Sequence, residues 1–158
     1  MNVSEYPLLQ PDLPDPLAPL FNGTLAPHVF DHRCHVFAAW AAMRRHGIEA
    51  GAERFRRALR AFVTHLGVPD KYHVTITEAF LRLVADEVRR DAAEPRWELA
   101  RSRFEHRASR LMEPSKVVLA SYYSDTYLQG EAARRRFLAP DLRALPQTEL
   151  DPIFETTE

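Results

Sequence analysis

The spacing of hydrophobic positions changes near residue 31. From there on, apolar residues recur at every third or fourth position, which is the period of an amphipathic α-helix. The pattern predicts helices at residues 31–46, 49–66, 70–90 and 96–110, and shorter ones at 114–123 and 124–137. The segment YHVTIT has β-branched residues at alternate positions, but it runs directly into the helical pattern EAFLRLVADEV. We therefore expect an all-α fold, a bundle of four or more helices.

Residues that favour helix ends support these boundaries. Asp31 is a good N-cap for the first predicted helix, and Gly47 ends it. Pro69 stops the second helix, and Asp70 is expected to cap the third. The apolar residues of the third helix spread beyond a single stripe, so we expect this helix to be buried on more than one side.

The first 28 residues follow a different pattern, because they contain six of the 12 prolines. Proline removes a backbone donor and disfavours helix at the residue before it. We expect residues 1–28 to form an extended, proline-rich leader that packs on the body, with one short turn near residues 17–21. The helical domain then covers residues 29–140, and residues 141–158 are expected to form an irregular acidic tail.

Composition and charge argue against several classes of function. The net charge is −1, so no overall positive field attracts nucleic acid or an anionic membrane. Hydrophobic residues make up 46% of the chain, but no stretch approaches the roughly 20 apolar residues of a membrane span. Cys34 is the only cysteine, so no disulfide can form within the chain. We expect a cytoplasmic protein that binds neither nucleic acid nor membranes.

Three of the seven histidines fall on faces that should point inward. With about 100° of rotation per residue, His32 and His35 continue the apolar stripe of the first helix, and His73 continues that of the third. Short connections make successive helices antiparallel, so the first and third helices run in the same direction. Their first turns then lie at the same end of the bundle, and we expect the three imidazoles to meet there in one pocket.

Helix N-termini and partial burial both disfavour imidazolium, so these histidines are predicted to be neutral. Neutral imidazole is the form that ligates metals or acts as a base. Three such rings with an open coordination position suit Zn(II), Fe(II), Mn(II) or Cu(II), with Asp31 or Glu78 as candidate carboxylates. Thr77 and Tyr123 add hydroxyl groups as further candidate catalytic groups. The alternative is a polar core layer in which the histidines satisfy one another and backbone groups.

Four distinctive motifs lie along the chain. One is at the start of the first predicted helix, one is at the start of the third, and two are near the end of the helical region. They are FDHRCHVFAAWAAMRRHG, KYHVTITEAFLRLVAD, SYYSDTYL and RRFLAPDLRALP. In these motifs, which extend over residues 28–146, the chain resembles a group of small, uncharacterised bacterial helical proteins. The shared pattern is Phe-x-His-x-x-His-Val, then Lys/Phe-aromatic-His-x-Thr-x-Thr, then Tyr-Tyr-Ser. The resemblance carries over His32, His35, His73, Thr75, Thr77, Tyr122 and Tyr123, and it implies no particular activity.

Three hypotheses of function follow from these residues. The first is a small-molecule enzyme of accessory or specialised metabolism, in which His32, His35 and His73 hold a divalent metal that activates water or a substrate oxygen. The second keeps the pocket without the metal and uses the histidines as acid and base in an isomerisation, cyclisation or elimination. The third is a non-catalytic helical module that binds a ligand or a protein. The expected partner is a small molecule, and a second copy of the chain, as a homodimer, is a further candidate.

Overall fold

The computed structural model describes residues 17–23, 25–91 and 94–151, and these residues form an all-α bundle. Its eight α-helices are Ala18–Phe21 (α1), His32–His46 (α2), Ile48–His65 (α3), Val74–Arg89 (α4), Trp97–Arg107 (α5), Ser115–Leu119 (α6), Asp125–Leu128 (α7) and Glu131–Arg135 (α8). Short 3₁₀ turns lie at Pro27–Val29, Pro69–Lys71 and Ser109–Met112. The predicted all-α bundle of four or more helices is confirmed. In the part of the chain described, no helix combines the length and apolar character needed to cross a bilayer.

Helix α2 lies in the centre of the core. Every residue from Val36 to Met43 is buried, so α2 is covered on all sides by its neighbours. It packs mainly against α3 and α4. Its backbone approaches α3 most closely at Gly51, where a Cβ would lie 2.5 Å from the carbonyl oxygen of Ala42 and from the Cα of Met43. Glycine is therefore required at this position, because backbone atoms cannot move aside as a flexible side chain can.

The two ends of α2 match the prediction. The Asp31 side chain accepts a hydrogen bond from the backbone N–H of Cys34 at 2.9 Å, as an N-cap does. Gly47 ends the helix with a φ of 92°, which L residues rarely adopt. The chain reverses at this glycine, so α2 and α3 form an antiparallel pair.

The start of α4 differs from the prediction, which had placed it at Asp70. Pro69–Lys71 forms a separate 3₁₀ turn, and the backbone of Tyr72 and His73 is extended. The helical hydrogen-bond pattern therefore begins only at Val74, with His73 as the N-cap. The predicted burial on more than one side is confirmed, since five consecutive residues, 81–85, are buried.

The predicted helices after α4 are shorter in the structure. The helix expected at 96–110 ends as α5 at Arg107, and the one expected at 114–123 ends as α6 at Leu119. The segment 124–137 is divided into α7 and α8 because Gly130 has extended backbone and begins α8 as its N-cap.

Both ends of the described chain are attached to the bundle. The predicted turn near residues 17–21 is present as α1, which packs on α3, and Leu17 and Leu20 are buried there. Residues 137–151 lack regular secondary structure, but Arg82 of α4 donates a hydrogen bond to the carbonyl oxygen of Leu150. The predictions for residues 1–16 and 152–158 lie outside the described residues.

Candidate functional site

A cavity of about 240 Å³ lies beside the first turns of α2 and the first half of α4, with α3 on its other side. Its wall is mainly apolar and includes Ala39, Phe55, Leu59, Ile76, Phe80 and Val84. Four polar side chains also line it: His32, His35, Thr77 and Ser115. Among the described residues, none with a carboxylate, guanidinium or ammonium group lines this cavity.

His35 is held in place by the first turn of α2. Its Nδ1–H donates a hydrogen bond to the backbone carbonyl oxygen of Asp31 at 2.7 Å, which places the lone pair on Nε2. The imidazole stacks on Phe30, with ring centroids 3.8 Å apart and planes inclined by 23°, and it meets the edge of Phe55. Nε2 has no hydrogen-bond partner among the described residues, so its lone pair is available to a ligand.

The surroundings keep the His35 imidazole neutral. Burial lowers the pKa of His35 to about 4, and nearby His32 contributes to the lowering, while the hydrogen bond to Asp31 acts in the opposite direction. A neutral imidazole with a free nitrogen accepts hydrogen bonds or ligates a metal. It is a weak base at neutral pH, because proton transfer is most efficient when the pKa lies near the working pH.

His32 lines the same cavity and joins three parts of the fold. Its Nε2–H donates a hydrogen bond to the carbonyl oxygen of Leu111, in the turn after α5, at 2.8 Å. Its ring meets Phe80 of α4 edge to face, with centroids 4.8 Å apart. The convergence of the first turn of α2 with α4 therefore brings two of the three predicted histidines to one cavity.

The third histidine, His73, does not line this cavity. Its Nδ1 accepts a hydrogen bond from the backbone N–H of Ile76 at 3.2 Å, and its Nε2–H donates to the carbonyl oxygen of Leu128 at 3.0 Å. Burial lowers the pKa of His73, so this ring is also held neutral. Both nitrogens are occupied, and His73 joins the start of α4 to α7.

The predicted three-histidine metal set is not assembled. Across the described ranges, no three His, Cys, Asp or Glu side chains are grouped so that they could hold a metal ion. The candidate carboxylates have other partners, because Asp31 caps α2 and Glu78 accepts hydrogen bonds from Arg56 and Arg82. His32 and His35 alone offer fewer protein ligands than the three of a typical catalytic zinc site. The residues present therefore do not fit the predicted divalent metal.

The two predicted hydroxyl residues lie in different places. Thr77 lines the cavity and is 8% exposed. Tyr123 lies in the wall of an adjoining cavity, and its hydroxyl donates a hydrogen bond to the carbonyl oxygen of Leu138 at 2.7 Å. Burial raises the pKa of Tyr123, so the phenol keeps its proton. Tyr123 therefore holds the C-terminal segment and does not face His35.

Thr75, carried over by the resemblance, also has structural partners. Its hydroxyl donates to the carbonyl oxygen of Arg136 at 2.8 Å and accepts from the N–H of Leu138 at 3.1 Å. Tyr122 lies close to the same segment, because its carbonyl oxygen accepts a hydrogen bond from the N–H of Leu142. These residues fix the chain after α8 onto α4 and onto the turn that follows α6.

Other groups with reactive side chains lie outside the cavity. Cys34 is fully buried, and burial raises the pKa of its thiol to about 12, so it behaves as a small apolar core residue. His28, His46 and His106 are exposed. The chemistry of the site therefore depends on His32 and His35.

Sequence reasoning did not identify Phe55 and Ser115 as lining residues. Phe55 is part of the apolar stripe of α3, and periodicity alone cannot separate a core position from a cavity wall. Ser115, the first residue of α6, lines the cavity together with Ile76 of α4, and no local signal in the sequence indicates that they lie in the same wall.

No family model matches the chain, and no curated protein or solved structure matches it either. What the site can do follows from its own chemistry. It combines apolar walls and neutral polar groups without a fixed charge, so it favours uncharged groups inside the cavity, because a buried charge without a partner is costly.

Proposed function

We propose that this protein binds a small molecule through an uncharged, mostly apolar part that carries a hydroxyl group, in the cavity between α2, α3 and α4. The observation that carries the proposal is the free Nε2 of a neutral His35 in the wall of an apolar cavity. A cavity of about 240 Å³ is larger than the roughly 150 Å³ that suffices for benzene. An aromatic ring with a short substituent therefore fits.

Each side chain of the site has a defined role in this proposal. The hydroxyl of the ligand donates a hydrogen bond to Nε2 of His35, because Nδ1 is held by Asp31. Phe55 and Phe80 pack against the apolar body of the ligand. Thr77 offers a second polar contact within the same wall.

The low pKa of His35 favours binding over catalysis. A general base with a pKa of about 4 takes a proton from a ligand only weakly at neutral pH. His73, the third member of the predicted acid–base set, has both nitrogens occupied. We therefore rank a non-catalytic binding protein first, an isomerase or cyclase that uses His32 and His35 second, and a metal enzyme third.

Isothermal titration with para-cresol and toluene tests the proposal, since the two molecules differ only by the hydroxyl. One neutral hydrogen bond contributes about 0.5–1.5 kcal/mol, so para-cresol should bind about two- to tenfold more tightly. The variant His35→Phe should abolish this difference and keep toluene binding. The matched control His46→Gln changes an exposed histidine and should bind both compounds as the wild type does.

Filling the cavity tests its location. In Ala39→Leu, the added side chain occupies the space beside α3, so both compounds should fail to bind. If that variant does not fold, Val84→Phe fills the same cavity from α4. Equal affinity for para-cresol and toluene in the wild type, or unchanged binding in a folded variant with a filled cavity, would contradict the proposal.

A further inference from the structure

A second cavity, of about 270 Å³, adjoins the first. The two share Ile76 and Ser115 in their walls, so these side chains form the boundary between them. The chemistry of the two spaces differs. The second is lined by Lys116 and Asp125, whereas no charged side chain of the described residues lines the first.

Lys116 directly follows the boundary residue Ser115 in α6. It is exposed and has neither a hydrogen bond nor an ion pair with any described residue. Asp125, in the four-residue helix α7, is exposed as well, and its carboxylate has no hydrogen bond or ion pair with any described residue. The second cavity therefore presents two unpaired charges, of which the cation lies next in sequence to the boundary with the first cavity.

The combined volume of the two cavities is that of a typical ligand pocket. Each is smaller than the roughly 300–1,000 Å³ of typical ligand pockets, but together they fall within that range. The boundary at Ile76 is a half-buried aliphatic side chain whose terminal methyl group can turn about χ2 while χ1 stays fixed by the helix.

We propose that the two cavities act as one elongated site for a hydroxyl-bearing monocarboxylate, with its hydroxyl at His35 and its carboxylate at Lys116. This inference rests on the proposed function, and it adds the class of ligand. The apolar part of the ligand, between its hydroxyl and its carboxylate, packs against Phe80 and extends past Ile76 into the second cavity.

Three compounds with the same hydroxyphenyl end test the inference. They are para-ethylphenol, which is neutral, para-hydroxyphenylpropanoate, which is an anion, and tyramine, which is a cation. The anion should bind the wild type about two- to fivefold more tightly than para-ethylphenol at low salt, as an exposed ion pair allows, and tyramine should bind most weakly. Lys116→Gln should remove this order and leave the affinity for para-cresol unchanged.

A second variant tests the path of the ligand. Ala120 lines only the second cavity. Ala120→Trp should therefore lower the affinity for para-hydroxyphenylpropanoate at least about tenfold and leave para-cresol binding intact. Preference for tyramine, or unchanged anion binding in both variants, would overturn the elongated site and leave the proposed function standing. Absence of para-cresol binding to the wild type would instead contradict the proposed function, and this inference with it.

Discussion

Helices α2 and α4 both begin beside a histidine, yet the two imidazoles use their nitrogens in opposite ways. In His35, within the first turn of α2, Nδ1–H donates to a carbonyl oxygen and Nε2 has no partner among the described residues. In His73, just before α4, Nδ1 accepts a backbone N–H and Nε2–H donates to Leu128. The two rings are therefore opposite tautomers, and only one offers a free lone pair to a cavity.

The difference comes from the residue that satisfies the first N–H groups of each helix. At α2 the carboxylate of Asp31 does so, which leaves the following histidines free to face the core. At α4 the predicted cap, Asp70, lies in the preceding 3₁₀ turn, so His73 takes its place. The position at which the helix starts thus decides whether a histidine caps the helix or leaves a nitrogen available to a ligand.

The largest expected effect is the pH dependence of stability contributed by His35. The pKa of His35 is about 4 in the folded protein and about 6.5 in the unfolded chain. The free energy of unfolding is therefore at its full value above 6.5 and falls as the pH decreases towards 4, by up to about 1.4 kcal/mol per pH unit. His35→Phe should remove this part of the slope in urea titrations. Identical slopes in the two proteins would show that His35 is not the group responsible.

Removal of the second histidine should affect stability and not binding. His73→Ala loses the N-cap of α4 and the hydrogen bond to Leu128, each worth about 1 kcal/mol, so the free energy of unfolding should fall by about 2 kcal/mol. Affinity for para-cresol should stay the same, because His73 does not line the cavity. His73→Asn, which can still cap the helix, should recover about half of the loss. A large drop in affinity in His73→Asn would place this residue in the site after all.

The smallest effect concerns the cap of α2. Asp31→Ala should lower the free energy of unfolding by about 1 kcal/mol, the usual contribution of an N-cap. Binding should not change, because the partner of His35 is the backbone carbonyl of Asp31 and not its side chain. Asp31→Asn is the control that keeps a capping oxygen. Weaker para-cresol binding in Asp31→Ala alone would mean that the cap also positions the imidazole.

Local signals predicted α2 well and α4 less well. Asp31 and Gly47 determine the ends of α2 through interactions with residues close in sequence. The role of His73 depends on Leu128, which lies 55 positions away, and no local pattern reports that contact. Tyr123 is similar, because its phenol is directed by Leu138 in a segment without regular structure.

For the candidate site, the sequence predicted only which residues lie on the inward faces of the helices. Periodicity placed His32 and His35 on the inward face of α2, and both line the cavity. It could not show that the wall opposite them leaves unfilled space, since that depends on how far apart α2, α3 and α4 are held. The separation of packed helices is set by the side chains between them.

The absence of a side chain at Gly51 has a consequence for the cavity, whose wall residue Phe55 lies one turn further along α3. Because α2 and α3 touch there through their backbones, the spacing of the two helices is set at a point that no ligand reaches. Any residue larger than glycine at position 51 would push α3 away from α2 and change the width of the cavity beside His35. The width of the cavity is thereby coupled to a contact that does not line it, and the requirement for glycine at this contact keeps that width fixed.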